Sequence, residues 1–371
     1  MNYKNISFVF LLSLTIISFS CDFETDNASP DEITEASLEE LLPAAITQMA
    51  HNQSALLGRS ASVIIQNLSG FDSSVQPFKQ NLLPPGGFNN VWNYGFFSGS
   101  LIQAKTIADM AEKQGEGGYE AVAKIIMAHE FAEATASFGD IPFSQAVQGN
   151  VYPFPEYDSQ QAVYEGVQNL LDEAILLLEQ NPFSLSGDVL YNGNMQFWKK
   201  FAYALKARYL LHTSKRHPEN FNEILDIVQN ETFQNLEEQP DFFWGAQVGT
   251  QNPLYSFATE RPNTLIIQHG FANKLETNND PRLDKIMFTD GTTWFFYDSD
   301  NPNKLVWARQ YASIPLISFA EIKFIEAEAL LQTGGTTEEI TEALKTAIES
   351  SFLQMEIDPE DHTDFIDNHS D

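Results

Sequence analysis

The 371-residue sequence has a single cysteine, Cys21, and only 20 Lys and Arg residues against 51 Asp and Glu residues. One cysteine excludes an internal disulfide framework and any zinc site built on cysteine ligands. The formal net charge of −31 argues against nucleic acid as a partner, because a polyanion is repelled at long range. The hydrophobic content of 43% is nevertheless high enough for a large core, which excludes a wholly disordered chain.

The N-terminus has the pattern of a secretory signal. Lys4 precedes an apolar run over residues 6–19, which is too short to span a membrane. Ser20 then places a small residue directly before Cys21, as in a bacterial lipoprotein signal, where the cysteine is acylated after cleavage. The alternative is an ordinary secretory signal followed by an incidental cysteine.

These features predict three parts of the chain. We expect a lipoprotein signal peptide over residues 1–20, with lipidation of Cys21. Residues 21–34 contain acidic side chains and no basic ones, which is typical of a solvated tether. Residues 35–371 are predicted to form a single domain.

Helical periodicity dominates residues 36–240 and returns at residue 318. Residues 52–90 contain several Gly and Pro and are predicted to be irregular, and residues 353–371 are predicted to be a frayed acidic tail. In residues 232–316 no helical period persists, which indicates long loops with a few short strands. The predicted fold class is therefore mainly α. The predicted helices form pairs: 91–113 with 119–138, 159–180 with 194–214, and 318–333 with 336–350.

Five segments, in this order along the chain, resemble the SusD/RagB family of nutrient-binding outer-membrane lipoproteins. They are FGDIPFSQA at 138–146, YDSQQAVY at 157–164, FWKKFAYALKAR at 197–208, DPRL at 280–283 and PLISFAEIKFIEAEA at 315–329. The resemblance implies a SusD-like α-helical fold, in which tetratricopeptide-like helix pairs support a loop-rich region. Members of the family usually run further past the final helix pair, so this chain is expected to be either truncated at its C-terminus or a short branch.

The resemblance also implies a function. Members of the family lie on the cell surface, attached to the outer membrane through an N-terminal lipid. They cap a TonB-dependent transporter of the SusC type, and capture oligosaccharides or, in some branches, peptides. They perform no chemistry and hold no cofactor, so we expect a binding protein and not an enzyme.

Sugar ligands need aromatic rings for stacking and planar polar groups for their hydroxyls. Such residues cluster in the stretches 71–94 and 288–311, and near residue 244. The predicted ligand-binding residues are Phe88, Trp92, Trp244, Trp294, Phe296, Tyr297, Trp307 and Arg309. The alternative for each ring is that it fills the core beneath a long loop.

Two other classes of function stay open in the sequence. A surface glycoside hydrolase would need two acidic residues in a cleft, one of them with a raised pKa. A helical-repeat adaptor that binds only protein would expose no Trp on the loops of 232–316. His129 and Glu133 have a spacing that occurs in metal sites, but no further ligand lies near them in sequence, so no metal site is predicted.

Overall fold

The computed structural model describes residues 36–70, 75–80, 82–83, 86–180 and 185–370. The predicted signal peptide, the acidic tether and the lipidation site Cys21 lie outside these residues. The described part of the chain is mainly helical with a few short strands, which confirms the predicted fold class.

Fourteen α-helices follow one another through the described residues, with a π-helical segment, Val91–Leu101, between the third and the fourth. They are α1 Leu38–Ser54, α2 Leu56–Ile64, α3 Gln76–Lys79, α4 Ile102–Gln114, α5 Gly117–Phe138, α6 Gln160–Gln180, α7 Met195–Thr213, α8 Asn220–Asn230, α9 Pro253–Glu260, α10 His269–Thr277, α11 Leu283–Ile286, α12 Phe319–Thr333, α13 Thr337–Gln354 and α14 Thr363–Ser370. Short 3₁₀ helices lie at Leu236–Glu238, Val306–Ala308 and Pro359–His362.

Polar side chains fix where the long helices begin. The Asn194 side chain accepts hydrogen bonds from the backbone N–H groups of Gln196 and Phe197 at the start of α7. Thr336 and Glu339 form a reciprocal capping box at the start of α13. These interactions satisfy N–H groups that have no partner within the helix.

The helices pack as the predicted pairs. Helix α4 packs against α5, α6 against α7, and α12 against α13, while α5 also packs against α6. Helix α5 is buried on most of its surface and is rich in alanine, which lets both neighbours approach closely. The largest fully buried side chains of this core are Trp198, Tyr209, Phe96, Phe131 and Phe201.

Within the described residues, three antiparallel two-stranded ladders order the loop-rich region. Strand β1 (Leu68–Gly70) pairs with β3 (Leu265–Ile267), and β4 (Phe288–Thr289) pairs with β5 (Trp294–Phe295). Strand β2 (Asp241–Phe242) pairs with β6 (Ile314–Pro315). The first and the last of these ladders join segments that are far apart in sequence, so they hold the loops against the helical body.

Two predictions of irregular structure were wrong. The segment predicted to be irregular from residue 52 contains α2, which runs to Ile64. Gly58 lies inside this helix because a Cβ atom there would lie 2.4 Å from the Gln53 carbonyl oxygen. The predicted frayed tail contains a 3₁₀ turn and α14, because Ile357 and Ile366 are buried in a second core that includes Phe352.

Candidate ligand-binding cleft

A cleft of about 760 Å³ opens between the helix pairs and the loop-rich region. One wall comes from α7 and α12, and the other from residues 306–318 and the end of α13. Residues that matter for its chemistry are Arg208, His212, Phe243, Trp307, Arg309, Tyr311, Glu321, Phe324, Glu328, Gln354 and Glu356.

Four aromatic side chains of the cleft are exposed. The exposed fraction is 44% for Trp307, 53% for Tyr311, 47% for Phe324 and 70% for Phe243. Burial of an aromatic side chain is strongly favourable, so four exposed rings around one cleft are unusual unless a ligand covers them. They provide flat apolar faces on which a sugar ring can stack.

The loop that carries Trp307 and Tyr311 is held in place by polar contacts. Asn252 donates two hydrogen bonds to this loop: its backbone N–H to the Gln310 carbonyl oxygen at 2.9 Å, and its side-chain amide to the Ala312 carbonyl oxygen at 3.0 Å. The Gln310 amide donates to the Ala246 carbonyl oxygen at 2.6 Å. Leu305 and Ala308, on either side of Trp307, are buried. The exposed rings are therefore presented by a fixed backbone.

Both arginines of the cleft are neutralised by carboxylates. Arg208 donates to the two carboxylate oxygens of Glu321 at 2.6 and 2.7 Å, and to the Leu316 carbonyl oxygen at 3.1 Å. Arg309 forms a bidentate pair with Glu356, and its Nε donates to the Asn303 carbonyl oxygen at 2.9 Å. The hydrogen bond from Arg309 lowers the pKa of Glu356 below its usual range.

The remaining polar groups suit a neutral ligand. Gln354 and Glu328 line the cleft and form no side-chain hydrogen bond or ion pair within the described residues. The Nδ1 atom of His212 lies 3.0 Å from the Tyr164 hydroxyl, and burial together with the charge of Arg208 lowers the pKa of His212. The imidazole is therefore neutral at pH 7.

The cleft brings together two of the predicted ligand-binding residues, Trp307 and Arg309. Tyr297 and Phe296 line a second, smaller cavity of about 270 Å³, although Phe296 itself is mostly buried. Trp294 is half-buried on β5 and packs against the second core.

The other predicted residues lie apart from the cleft. Trp244 is buried, with its ring 4.8 Å from that of Phe242, and its Nε1 atom has no hydrogen-bond partner among the described residues. Phe88 packs against Phe78 and Phe138, and half-buried Trp92 also packs against Phe138. These rings connect structural elements.

Two aromatic residues of the cleft, Phe243 and Phe324, were not predicted from the sequence. Phe243 points outward between the buried rings of Phe242 and Trp244, the alternation expected of an extended chain. Phe324 lies off the apolar stripe that Ile322 and Ile325 direct into the core. An aromatic residue on the polar side of a pattern was the available signal in both cases.

The described residues thus form paired helices that support a loop-lined cleft with exposed aromatic rings. A sequence profile described as SusD-like, "starch-binding associating with outer membrane", matches residues 30–370. The chain belongs to this SusD-like family, as the motifs predicted.

Solved structures share the fold. A SusD/RagB family protein from Bacteroides thetaiotaomicron is 26% identical and has a TM-score of 0.70, with 86% of this chain and 74% of that chain covered. A chitin-binding SusD homologue from Flavobacterium johnsoniae is 20% identical and has a TM-score of 0.71, with 85% and 71% covered. A SusD homologue from Bacteroides fragilis is 20% identical and has a TM-score of 0.69, with 91% and 77% covered.

No protein of curated function matches the sequence. SusD-like proteins are outer-membrane-associated and are binding proteins rather than enzymes. Within the described residues, no helix is both long and apolar enough to cross a membrane.

Proposed function

We propose that the protein is a surface lipoprotein that captures nutrient oligosaccharides in the aromatic cleft and delivers them to a SusC-like TonB-dependent transporter. The observation on which this rests is the group of four exposed rings, Phe243, Trp307, Tyr311 and Phe324, around one cleft that also contains amide and carboxylate groups. The starch-binding description of the family and the chitin-binding relative support a carbohydrate ligand.

The charges of the cleft favour an uncharged oligosaccharide. Arg208 and Arg309 each have a carboxylate partner, so neither offers a free positive charge to an acidic ligand. Glu328 adds an exposed negative charge to the lining. A neutral sugar avoids repulsion here and can accept or donate hydrogen bonds to these groups.

The acidic groups support binding without hydrolysis. Glycoside hydrolysis needs a protonated carboxylic acid near an ionised one. Within the described residues, burial raises the pKa of Glu130 to about 8 and also raises the pKa values of Glu133 and Asp241, but none of the three lines the cleft. In Glu356, which does line it, the pKa is lowered.

The test is calorimetric titration of the full chain with malto-oligosaccharides, chito-oligosaccharides and peptides, followed by analysis of each ligand for cleavage. We expect saturable binding of a neutral oligosaccharide that is recovered intact. Trp307→Ala should weaken binding about tenfold, because loss of ring stacking and of apolar contact costs about 1.4 kcal/mol.

The matched control is Phe154→Ala, which removes an aromatic side chain that is 91% exposed and lies outside the cleft. This variant should bind as the unmodified chain does. Equal affinities for the unmodified chain and Trp307→Ala would exclude the cleft as the site, and cleaved ligand would exclude a pure binding protein.

A protein-only adaptor is the second candidate. The exposed apolar side chains of α12, Phe324 and Leu331, favour it, whereas the 44% exposed Trp307 on the loops argues against it. Saturable binding of peptides and of no oligosaccharide would favour this candidate over carbohydrate capture.

The anchor is tested separately. Lipidation of Cys21 predicts that the chain partitions into membranes and that Cys21→Ser releases it into the soluble fraction. Several acyl chains on one residue give stable anchoring, whereas one chain is marginal. A membrane-bound Cys21→Ser variant would contradict lipid attachment at this residue.

A further inference from the structure

A separate cavity of about 300 Å³ lies between α2 and α9 and shares no residue with the aromatic cleft. Arg59 and Ser60 of α2 line one side, and Phe257 of α9 and Arg261, directly after α9, line the other. The rest of the lining is mainly apolar: Leu56, Val63, Val75, Phe78 and Leu265, with Glu260 as the exception.

Two arginines meet in this cavity. The Cζ atom of Arg59 lies 4.3 Å from the centroid of the Phe257 ring, and the Cζ atom of Arg261 lies 5.7 Å from the same centroid. Neither guanidinium forms an ion pair within the described residues, whereas Arg208, Arg282 and Arg309 each pair with a carboxylate. In a chain with 51 acidic and 20 basic residues, two neighbouring arginines that form no ion pair within the described residues are unexpected.

The positive charge of Arg59 is destabilised by its surroundings. Burial and the neighbouring charge of Arg261 lower the pKa of Arg59 to about 10. Glu260 lies in the lining but is exposed and forms no ion pair with either arginine. An anion bound between the guanidinium groups would remove their repulsion and replace the hydration that Arg59 has lost.

A buried hydroxyl supports the same conclusion. Ser60 is 2% exposed and lines the cavity, yet its Oγ atom has no hydrogen-bond partner among the described residues. Buried hydroxyl groups nearly always have a partner, so this one indicates a partner beyond the described residues, such as a bound ligand. A hydroxyl can donate to an anionic oxygen, as both arginines can.

The adjoining cavity supplies a surface for a ring. Arg261 and Leu265 line both cavities, so the two cavities are neighbours. The aromatic side chains of Phe288 and Phe295 stack with their centroids 5.3 Å apart and line the second cavity together with Tyr297. A sugar ring on these side chains would direct a substituent toward the arginines.

We propose that Arg59, Ser60 and Arg261 form a second ligand site, which binds the carboxylate or sulfate group of an acidic sugar while the sugar ring lies against Phe295 and Tyr297. This inference rests on the proposed function in oligosaccharide capture, and it assigns acidic sugars to a site other than the neutral cleft. The chemistry that the site recognises is a single oxyanion on a sugar ring.

The experiment titrates the full chain with galactose oligomers that carry one terminal galacturonate or one sulfate group, and with the matching uncharged galactose oligomers. We expect the acidic sugars to bind, and Arg59→Gln and Arg261→Gln each to weaken that binding about 10- to 100-fold, because a hydrogen bond to a charged group is lost. The relative affinities for carboxylated and sulfated sugars identify which oxyanion is preferred. Arg261 is exposed, so its variant is expected to fold even if Arg59→Gln does not.

The control is Arg216→Gln, which removes another arginine without an ion-pair partner in the described residues, outside both cavities. It should leave acidic-sugar binding unchanged. Equal binding of acidic and uncharged sugars, or no effect of either cavity variant, would overturn the second site. Neutral-oligosaccharide binding that still depends on Trp307 would leave the proposed function intact in that case.

Discussion

The cleft and the Arg59–Arg261 cavity both place two arginines near aromatic rings, but they treat the charge differently. In the cleft, Arg208 and Arg309 are each held by a carboxylate. In the cavity, Arg59 and Arg261 face the ring of Phe257 without one. An arginine near an aromatic surface therefore does not by itself predict an acidic ligand. An arginine that is already paired with a carboxylate has no free charge for the ligand, whereas an unpaired arginine has.

The presence or absence of a carboxylate partner also distinguishes arginines with a structural role from arginines with a binding role. Arg208 joins α7 to α12 through Glu321 and contacts the carbonyl oxygen of Leu316, so it connects the central helix pair to the last one. Arg59 makes no such connection. Loss of Arg208 should therefore affect folding, and loss of Arg59 should affect binding.

The largest expected effect is on stability. Arg208→Met leaves the carboxylate of Glu321 without its partner and also removes the positive charge that favours ionisation of Glu133. Breaking a buried pair costs about 3 to 5 kcal/mol, and we expect about 3 kcal/mol because the Glu321 side chain is 39% exposed. Denaturant unfolding measures the change.

Arg59→Met is the matched substitution in the other region. It should change the free energy of unfolding by less than about 1 kcal/mol, since only the contact with Phe257 is lost and a repulsion is relieved. Similar losses for the two variants would show that the two pairs of arginines do not differ in structural role.

The two sites should also differ in how their ligand affinity depends on ionic strength. Raising salt from about 0.01 M to about 1 M shortens the Debye length from about 30 Å to about 3 Å. The affinity for galactose oligomers with one terminal galacturonate should fall several-fold, because the attraction to Arg59 and Arg261 is screened. The affinity of the cleft for neutral oligosaccharides should stay nearly constant. Calorimetric titration at both salt concentrations is the measurement, and a parallel loss for both ligands would contradict the division.

The sequence predicted the helical scaffold well because the signals are local. The Asn194 side chain caps backbone N–H groups two and three residues further along, at the start of α7. Thr336 and Glu339, at the start of α13, are only three residues apart. The prediction of irregular structure around Gly58 was wrong because composition alone does not distinguish a glycine inside a helix from a glycine in a loop. The prediction of a frayed tail was wrong because acidic and polar residues dominate its composition, whereas the helix α14 is held by the burial of Ile366, one of its few apolar residues.

The candidate sites were harder to predict because they depend on tertiary contacts. Trp307 and Arg309 could be selected from their stretch of aromatic and polar residues. Phe243 was harder to select, because its alternation with Phe242 and Trp244 is informative only once the segment is recognised as extended. Arg59 and Arg261 are two hundred residues apart and look ordinary in sequence. Only the folded chain places both against Phe257.

The smallest expected effect concerns the exposed pair of the cleft. Arg309 lowers the pKa of Glu356, so this pair contributes stability above the unfolded pKa of about 4.3, which is lost as pH falls through the lower folded pKa. Because the Glu356 side chain is 56% exposed, the contribution should stay below about 1 kcal/mol. Glu356→Gln should therefore reduce the difference in unfolding free energy between about pH 7 and about pH 2.5 by a few tenths of a kcal/mol. A Glu356→Gln variant that keeps the full difference would indicate that Arg309 gives Glu356 no special role.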